Sequence, residues 1–183
     1  MKMQFRYNIN NSLSDRDRHK QANIMSAILT DETFDPVCYN FFAWGGVALA
    51  MTFSNLGTAY GTAKSGMGIA SLSVTRPELA FKSIVPIIMA GILAIYGFIT
   101  AVLLAQKTSI EVENAGSPMF FWAGGLLCGF SNVMAGYAIG LVGERGVKYY
   151  AINEEIFVAL ILILIFAEVL GLLGMITSII LTI

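Results

Sequence analysis

Glu168 is the residue whose type and setting could do chemistry. It sits in Ile161-Leu-Ile-Leu-Ile-Phe-Ala-Glu-Val-Leu-Gly-Leu-Leu-Gly174, within 28 residues (156–183) that carry no other charge. A run of that length reads as a membrane-spanning helix, because about 20 apolar residues at about 1.5 Å each cross a hydrocarbon core. An ionised group near the middle of such a helix costs at least ~2.5 kcal/mol. The protonated acid avoids that cost. Glu168 is therefore expected to hold a proton while it faces lipid, and to ionise only beside a cation or a wet channel. No Lys or Arg in any apolar run can pair with it permanently.

Sodium is the other ion to weigh, and it needs several oxygens around the carboxylate. At the matching depth of the second apolar run stand Met89, Ala90, Gly91, Ile92 and Leu93, none of which can coordinate it. A proton needs only the carboxyl, so H+ is preferred over Na+. Tyr96 is a candidate hydrogen-bond donor to the acid, the plainer reading being a core or interfacial tyrosine. Ala167, Gly171, Gly174 and Ser178 make a strip of small residues beside Glu168, expected to leave room for a partner's side chain. Ser54-Asn55 and Ser131-Asn132 are explained by hydrogen bonds between helices.

Composition excludes most other chemistry. The chain has 183 residues, 56% of them hydrophobic and 13% charged, with a mean hydropathy of +0.71. A soluble domain is about 25% charged. A net charge of -1 gives no case for nucleic acid. Cys38 and Cys128 form neither a metal spacing nor a disulfide framework. His19 stands alone in a polar tail, where it is expected to be solvated. There is no Ser/His/Asp set, nucleotide-binding loop or paired-carboxylate site, so no catalytic site, cofactor or metal is expected.

The reading is an all-α membrane protein of four transmembrane helices. Residues 1–40 form a polar N-terminal extension, expected to be flexible, with a possible short surface helix over 21–29 or a docking role. Four uncharged runs follow at 36–63 (the span starting near Phe41), 83–106, 114–143 and 156–183. Residues 64–82, 107–113 and 144–155 connect them. Pro86 falls in the first turns of the second helix, where a missing amide is tolerated best. The first connection carries Lys64, Arg76 and Lys82 and the third carries Arg145 and Lys148. The second has Lys107 against Glu111 and Glu113. By the positive-inside rule connections one and three face the cytosol, with both termini lumenal.

The chain repeats itself. A shift of 77 residues lays Phe53-Ser-Asn55 on Phe130-Ser-Asn132, Tyr60 on Tyr137, Gly66 on Gly143, Glu78 on Glu155 and Gly97 on Gly174, without a gap. Two helical hairpins result, 41–106 and 119–183, joined by a short non-cytosolic loop at 107–118. They share one orientation because an even number of spans separates them. Glu168 falls on Gly91, so two hairpins hold one acid.

Gly57 and Gly61, Gly125 and Gly129, and Gly136 and Gly140 are spaced four apart, each pair on one helix face. Such pairs let backbones approach where lipid removes the hydrophobic drive. They are expected at matching positions of both hairpins, with helices one and three forming a crowded inner wall and helices two and four outside it, in an oligomeric ring.

Several segments resemble a known family. Ala59-Tyr-Gly-Thr-Ala-Lys-Ser-Gly-Met-Gly-Ile-Ala70, Arg76-Pro-Glu78, Lys82-Ser-Ile-Val-Pro86 and Ile95-Tyr-Gly97 are similar to the first half of the V-type ATPase c proteolipid. Gly140-Leu-Val-Gly143 and Leu162-Ile-Leu-Ile-Phe-Ala-Glu-Val-Leu-Gly171 are similar to its second half. The resemblance covers about residues 41–183. It implies a subunit of the rotor ring in a vacuolar-type proton pump, placed in a vacuole or other acidic endomembrane compartment. Glu168 matches the family's proton-carrying, carbodiimide-reactive glutamate. In the family, ATP hydrolysis by other subunits turns the ring past the a subunit, where the acid releases its proton through a half-channel and meets an essential arginine. The implied partners are other c-type proteolipids, the a subunit and a central-stalk d-type subunit on the cytosolic loops. One glutamate in helix four resembles the c or c-prime type rather than the c-double-prime type. The long tail and the connection 144–155 depart from the family pattern. The alternatives are a stand-alone proton channel or transporter, lacking a visible counter-cation, and a structural ring-forming tetraspan protein.

Overall fold

A computed structural model describes residues 36–110 and 118–182 of the chain. The tail with His19 and the stretch 21–29, and most of the loop 107–118, lie outside the described residues. The chain divides into two compact units, 1–39 and 40–183. The second holds nearly everything described.

Four helices account for it: α1 (Pro36–Thr75), α2 (Val85–Ile110), α3 (Pro118–Tyr150) and α4 (Ile156–Thr182). All four are long and apolar enough to cross a membrane. Pro86 is the second residue of α2, where its missing amide breaks no intrahelical bond. Two short 3₁₀ turns, Pro77–Leu79 and Lys82–Ile84, carry the chain from α1 to α2.

The helices overrun the apolar stretches. α1 continues through Lys64 to Thr75, and α3 through Glu144 to Tyr150, so much of connections one and three is helix. At 40 residues α1 is roughly 60 Å long, about twice a hydrocarbon core. Backbone hydrogen bonds do not stop at the membrane surface, and paired charges support the extensions. Glu144 accepts from Lys148 at 2.9 Å and faces Lys64 at 3.4 Å. Arg76 and Glu154, 3.3 Å apart, tie the first and third connections together at one end.

Glycine sets the approach of α1 and α3, but not as repeats. The six paired glycines do not match across the hairpins: Gly57 and Gly61 fall on Met134 and Ala138, and Gly125, Gly129, Gly136 and Gly140 on Ala48, Thr52, Ala59 and Ala63. They meet each other instead. A Cβ on Gly136 would run into the Gly57 backbone, one on Gly57 into Asn132, and one on Gly125 into Gly46. The Cβ of Gly61 would sit 3.0 Å from the Gly136 carbonyl, and that of Gly140 3.2 Å from the Gly61 Cα. Gly129 is filled by the Phe53 side chain. Close contact is needed on both sides of one interface, and that places the glycines.

A polar clasp crosses the same interface. The Asn132 amide donates to Ser54 Oγ at 2.7 Å, both residues being fully buried. Such bonds between membrane helices average about 0.6 kcal/mol and reach about 1.7. Asn132→Ala should therefore cost about 1 kcal/mol, read as an earlier denaturation midpoint in mild detergent.

Candidate functional site

The site lies where α2 and α4 meet. α4 can bring Glu168 there because its packed face is made of small residues. Gly171 abuts Leu93 of α2 and Asn132 of α3, and a Cβ on Gly174 would strike Ser131. Ser178 Oγ donates to the Gly124 carbonyl at 2.7 Å, and Ser131 Oγ to the Leu170 carbonyl at 2.6 Å. The strip of Ala167, Gly171, Gly174 and Ser178 is buried against this chain's own helices. It is not open to a partner, which corrects the expectation above: small side chains here let α4 dock on α2 and α3.

Glu168 itself is half-buried at the edge of that docked face. Phe166, Val169 and Leu170 beside it are exposed, so the carboxyl stands between packed helices and the lipid-facing surface. From α2 the Tyr96 hydroxyl donates to Glu168 Oε1 at 3.1 Å. The bond fixes the carboxyl toward α2 and serves either protonation state, since a carboxylate and a carboxylic acid both offer an acceptor oxygen. Tyr96 is thus brought to Glu168 by a hydrogen bond, while Ala167 and Gly171 lie buried on the docked face of the same helix as the acid. The glycine pairs hold α1 to α3.

Gly91, the counterpart of Glu168, has nothing within 4 Å of where a Cβ would stand. The first hairpin offers bare backbone at the point where the second offers an acid. Among the described residues no group of three His, Cys, Asp or Glu side chains gathers as a metal site.

Sequence reasoning named Leu93 and the paired rings without giving any of them a packing role. Leu93 is fully buried against Gly171, one turn from Glu168. Phe53 stacks on Phe130 with centroids 5.0 Å apart, and Tyr60 on Tyr137 at 5.2 Å. The signal was available, because both pairs are equivalent residues of the two hairpins.

The family model for the ATP synthase C subunit matches the chain twice, over residues 45–104 and 122–181. The two matches keep the 77-residue step, one to each hairpin. The chain is 50% identical over 154 residues to the human V-type proton ATPase 16 kDa proteolipid, the c-type subunit, covering 84% of this chain and 99% of that one. It is 52% identical over 147 residues to the Bos taurus protein of the same name, covering 80% and 94%. It is also 47% identical over 158 residues to the c-prime subunit of the V-type proton ATPase of Saccharomyces cerevisiae, covering 86% and 96%. Two family matches in step with the repeat, and half-identity along nearly the whole of these relatives, place the chain in the ATP synthase C-subunit family, among the V-type proton ATPase proteolipids.

Proposed function

We propose that this chain is a proton-carrying subunit of the membrane rotor ring of a V-type ATPase, and that Glu168 binds and releases the proton. It has no catalytic site of its own. The observation that carries the assignment is one acid, held by Tyr96, at the boundary between a packed helix face and an exposed apolar one.

The geometry suits a cycle. Facing lipid, Glu168 stays protonated because the charged form is costly there. Its hydrogen bond to Tyr96 turns the group toward α2. A cation brought close by a stationary neighbour favours the ionised form, and the proton leaves. An a-type subunit with an arginine fits that neighbour, with half-channels for release and reloading. The transported ion is H+: α2 sets the single hydroxyl of Tyr96 against Glu168 and an apolar Leu93 against Gly171, where Na+ would need several oxygens around the carboxylate. Other c-type proteolipids complete the ring. The end bearing Lys64, Arg76, Lys82, Arg145 and Lys148 faces the cytosol and a central-stalk d-type subunit, and both termini are lumenal. The membrane is that of a vacuole or another acidic compartment.

A hydrophobic carbodiimide tests the site. It should modify Glu168 and halt pumping together, and protection by sodium ions would overturn the proton assignment. Tyr96→Phe should leave assembly intact and free the carboxyl. Losing one hydrogen bond of about 1 kcal/mol should raise the labelling rate of Glu168 by up to about fivefold. Rates measured on membranes at fixed pH check this.

A further inference from the structure

Among the described residues, two features of the hairpins have no counterpart to complete them. Asn55 on α1 is exposed, although its equivalent in the second hairpin is the buried Asn132. Between α3 and α4 a cavity of about 290 Å³ is lined by residues that include Leu141, Val142, Arg145, Leu160 and Ile163.

The repeat connects these features to a second copy. Phe53 and Phe130 are equivalent residues that stack on each other, as are Tyr60 and Tyr137. When equivalent points of consecutive hairpins touch, the same step can be taken again. Phe130 and Tyr137 are each half exposed, leaving surface for Phe53 and Tyr60 of a following copy. The step that turns the first hairpin into the second turns each contact within the chain into one between copies. Ser54 with Asn132 becomes Ser131 with Asn55. Within the chain, Gly143 covers Ser65 and Pro86, while Glu144 covers Gly68 and pairs with Lys64. One step on, the covered surface is Leu141, Val142, Arg145 and Ile163, which line the cavity, and the covering residues are Gly66 and Met67. Gly66 has nothing within 4 Å of a Cβ position, and Met67 is half exposed. An unbranched, polarizable methionine suits an irregular gap.

We propose that a second copy of this chain seats Met67 in the cavity between α3 and α4, and donates from Asn55 Nδ2 to Ser131 Oγ. The Ser131 hydroxyl spends its proton on the Leu170 carbonyl, and its lone pairs remain to accept. This seam differs in kind from the one inside the chain. Ala123 with Ala48, Met134 with Ala59, and Ala138 with Ala63 stand where Gly46 with Gly125, Gly57 with Gly136, and Gly61 with Gly140 stand inside. Leu141 with Met67 replaces the Lys64–Glu144 ion pair. Helices α3 and α1 are therefore held further apart between copies than within one.

The inference rests on the ring reading above, and the experiment separates the two. In a Cys38→Ser background, Met67→Cys/Arg145→Cys and Asn55→Cys/Ser131→Cys are assembled in membranes, and the ring's mass is measured before oxidation. Oxidation should shift the greater part of the chain to twice its mass and above, reversibly by thiol. Met67→Cys/Ile176→Cys, with its cysteines toward opposite ends, should remain at the single-chain mass. An intact ring in which neither pair cross-links overturns the seam and leaves the ring standing. A disulfide adduct with a different proteolipid overturns the choice of occupant. Unsubstituted protein that is monomeric by mass overturns the ring reading itself. Gly66→Leu keeps the proposal exposed should the cysteine pairs fail to assemble. It should leave the chain folded and shift its mass from ring to monomer, and a ring of native mass would overturn the seam.

Discussion

Glu168→Gln should leave the assembled ring in place and reduce ATP-driven proton transport to the level of vesicles without a pump. Glutamine keeps the shape of the side chain and an acceptor for Tyr96, but it has no exchangeable acidic proton. It also removes a group whose ionised form costs at least ~2.5 kcal/mol in hydrocarbon, so assembly should be unharmed. Quenching of a pH-sensitive dye in sealed vesicles reads transport, and the mass of the extracted ring reads assembly. Unchanged acidification would sink the assignment of Glu168. Failure to assemble would favour the scaffold reading, in which the acid is an interhelical hydrogen-bonding group. Glu168→Asp sharpens the test: it keeps the acid, withdraws it from Tyr96 by one methylene, and should retain slower transport.

Gly136→Leu should be the most damaging substitution for the fold. The space its side chain would take is filled by the backbone of Gly57, and the Asn132 carbonyl in turn fills the space beside Gly57. A side chain can swing away from an intruder, whereas a backbone can yield only if the helix moves. Overpacking an ordinary core costs about 1–3 kcal/mol, and here the cost should reach or exceed the top of that range. Against a total stability of about 5–15 kcal/mol, that is enough to undock the hairpins. Limited proteolysis and the denaturation midpoint of the detergent-extracted chain measure it. Gly45→Leu should be milder, because what it meets is the Trp122 ring rather than a backbone.

The spans, the repeat and the acid were legible because each leaves a mark along the chain. A lipid core demands long uncharged runs, duplication preserves register, and one charge in an apolar run stands out. The helix ends were not legible: hydropathy marks where lipid stops, while α1 and α3 continue through Lys64 and Glu144 on pairings between distant residues. Nor was the role of the small residues beside Glu168. Gly171 and Gly174 read equally well as space for a visitor and as space already filled, and only Leu93, Asn132 and Ser131 decide for the latter. Tyr96 could be placed near the right depth on α2, but its hydrogen bond depends on how α2 rotates against α4, which no spacing encodes.

Gly91, the empty counterpart of Glu168, sets a gear ratio. A ring built from these chains needs four helices, rather than two, to move each ion past a fixed point. The work of one full turn is then shared among half as many ions as if both hairpins carried the acid, so each can be driven up a gradient about twice as steep. One acid for every two hairpins trades flux for head.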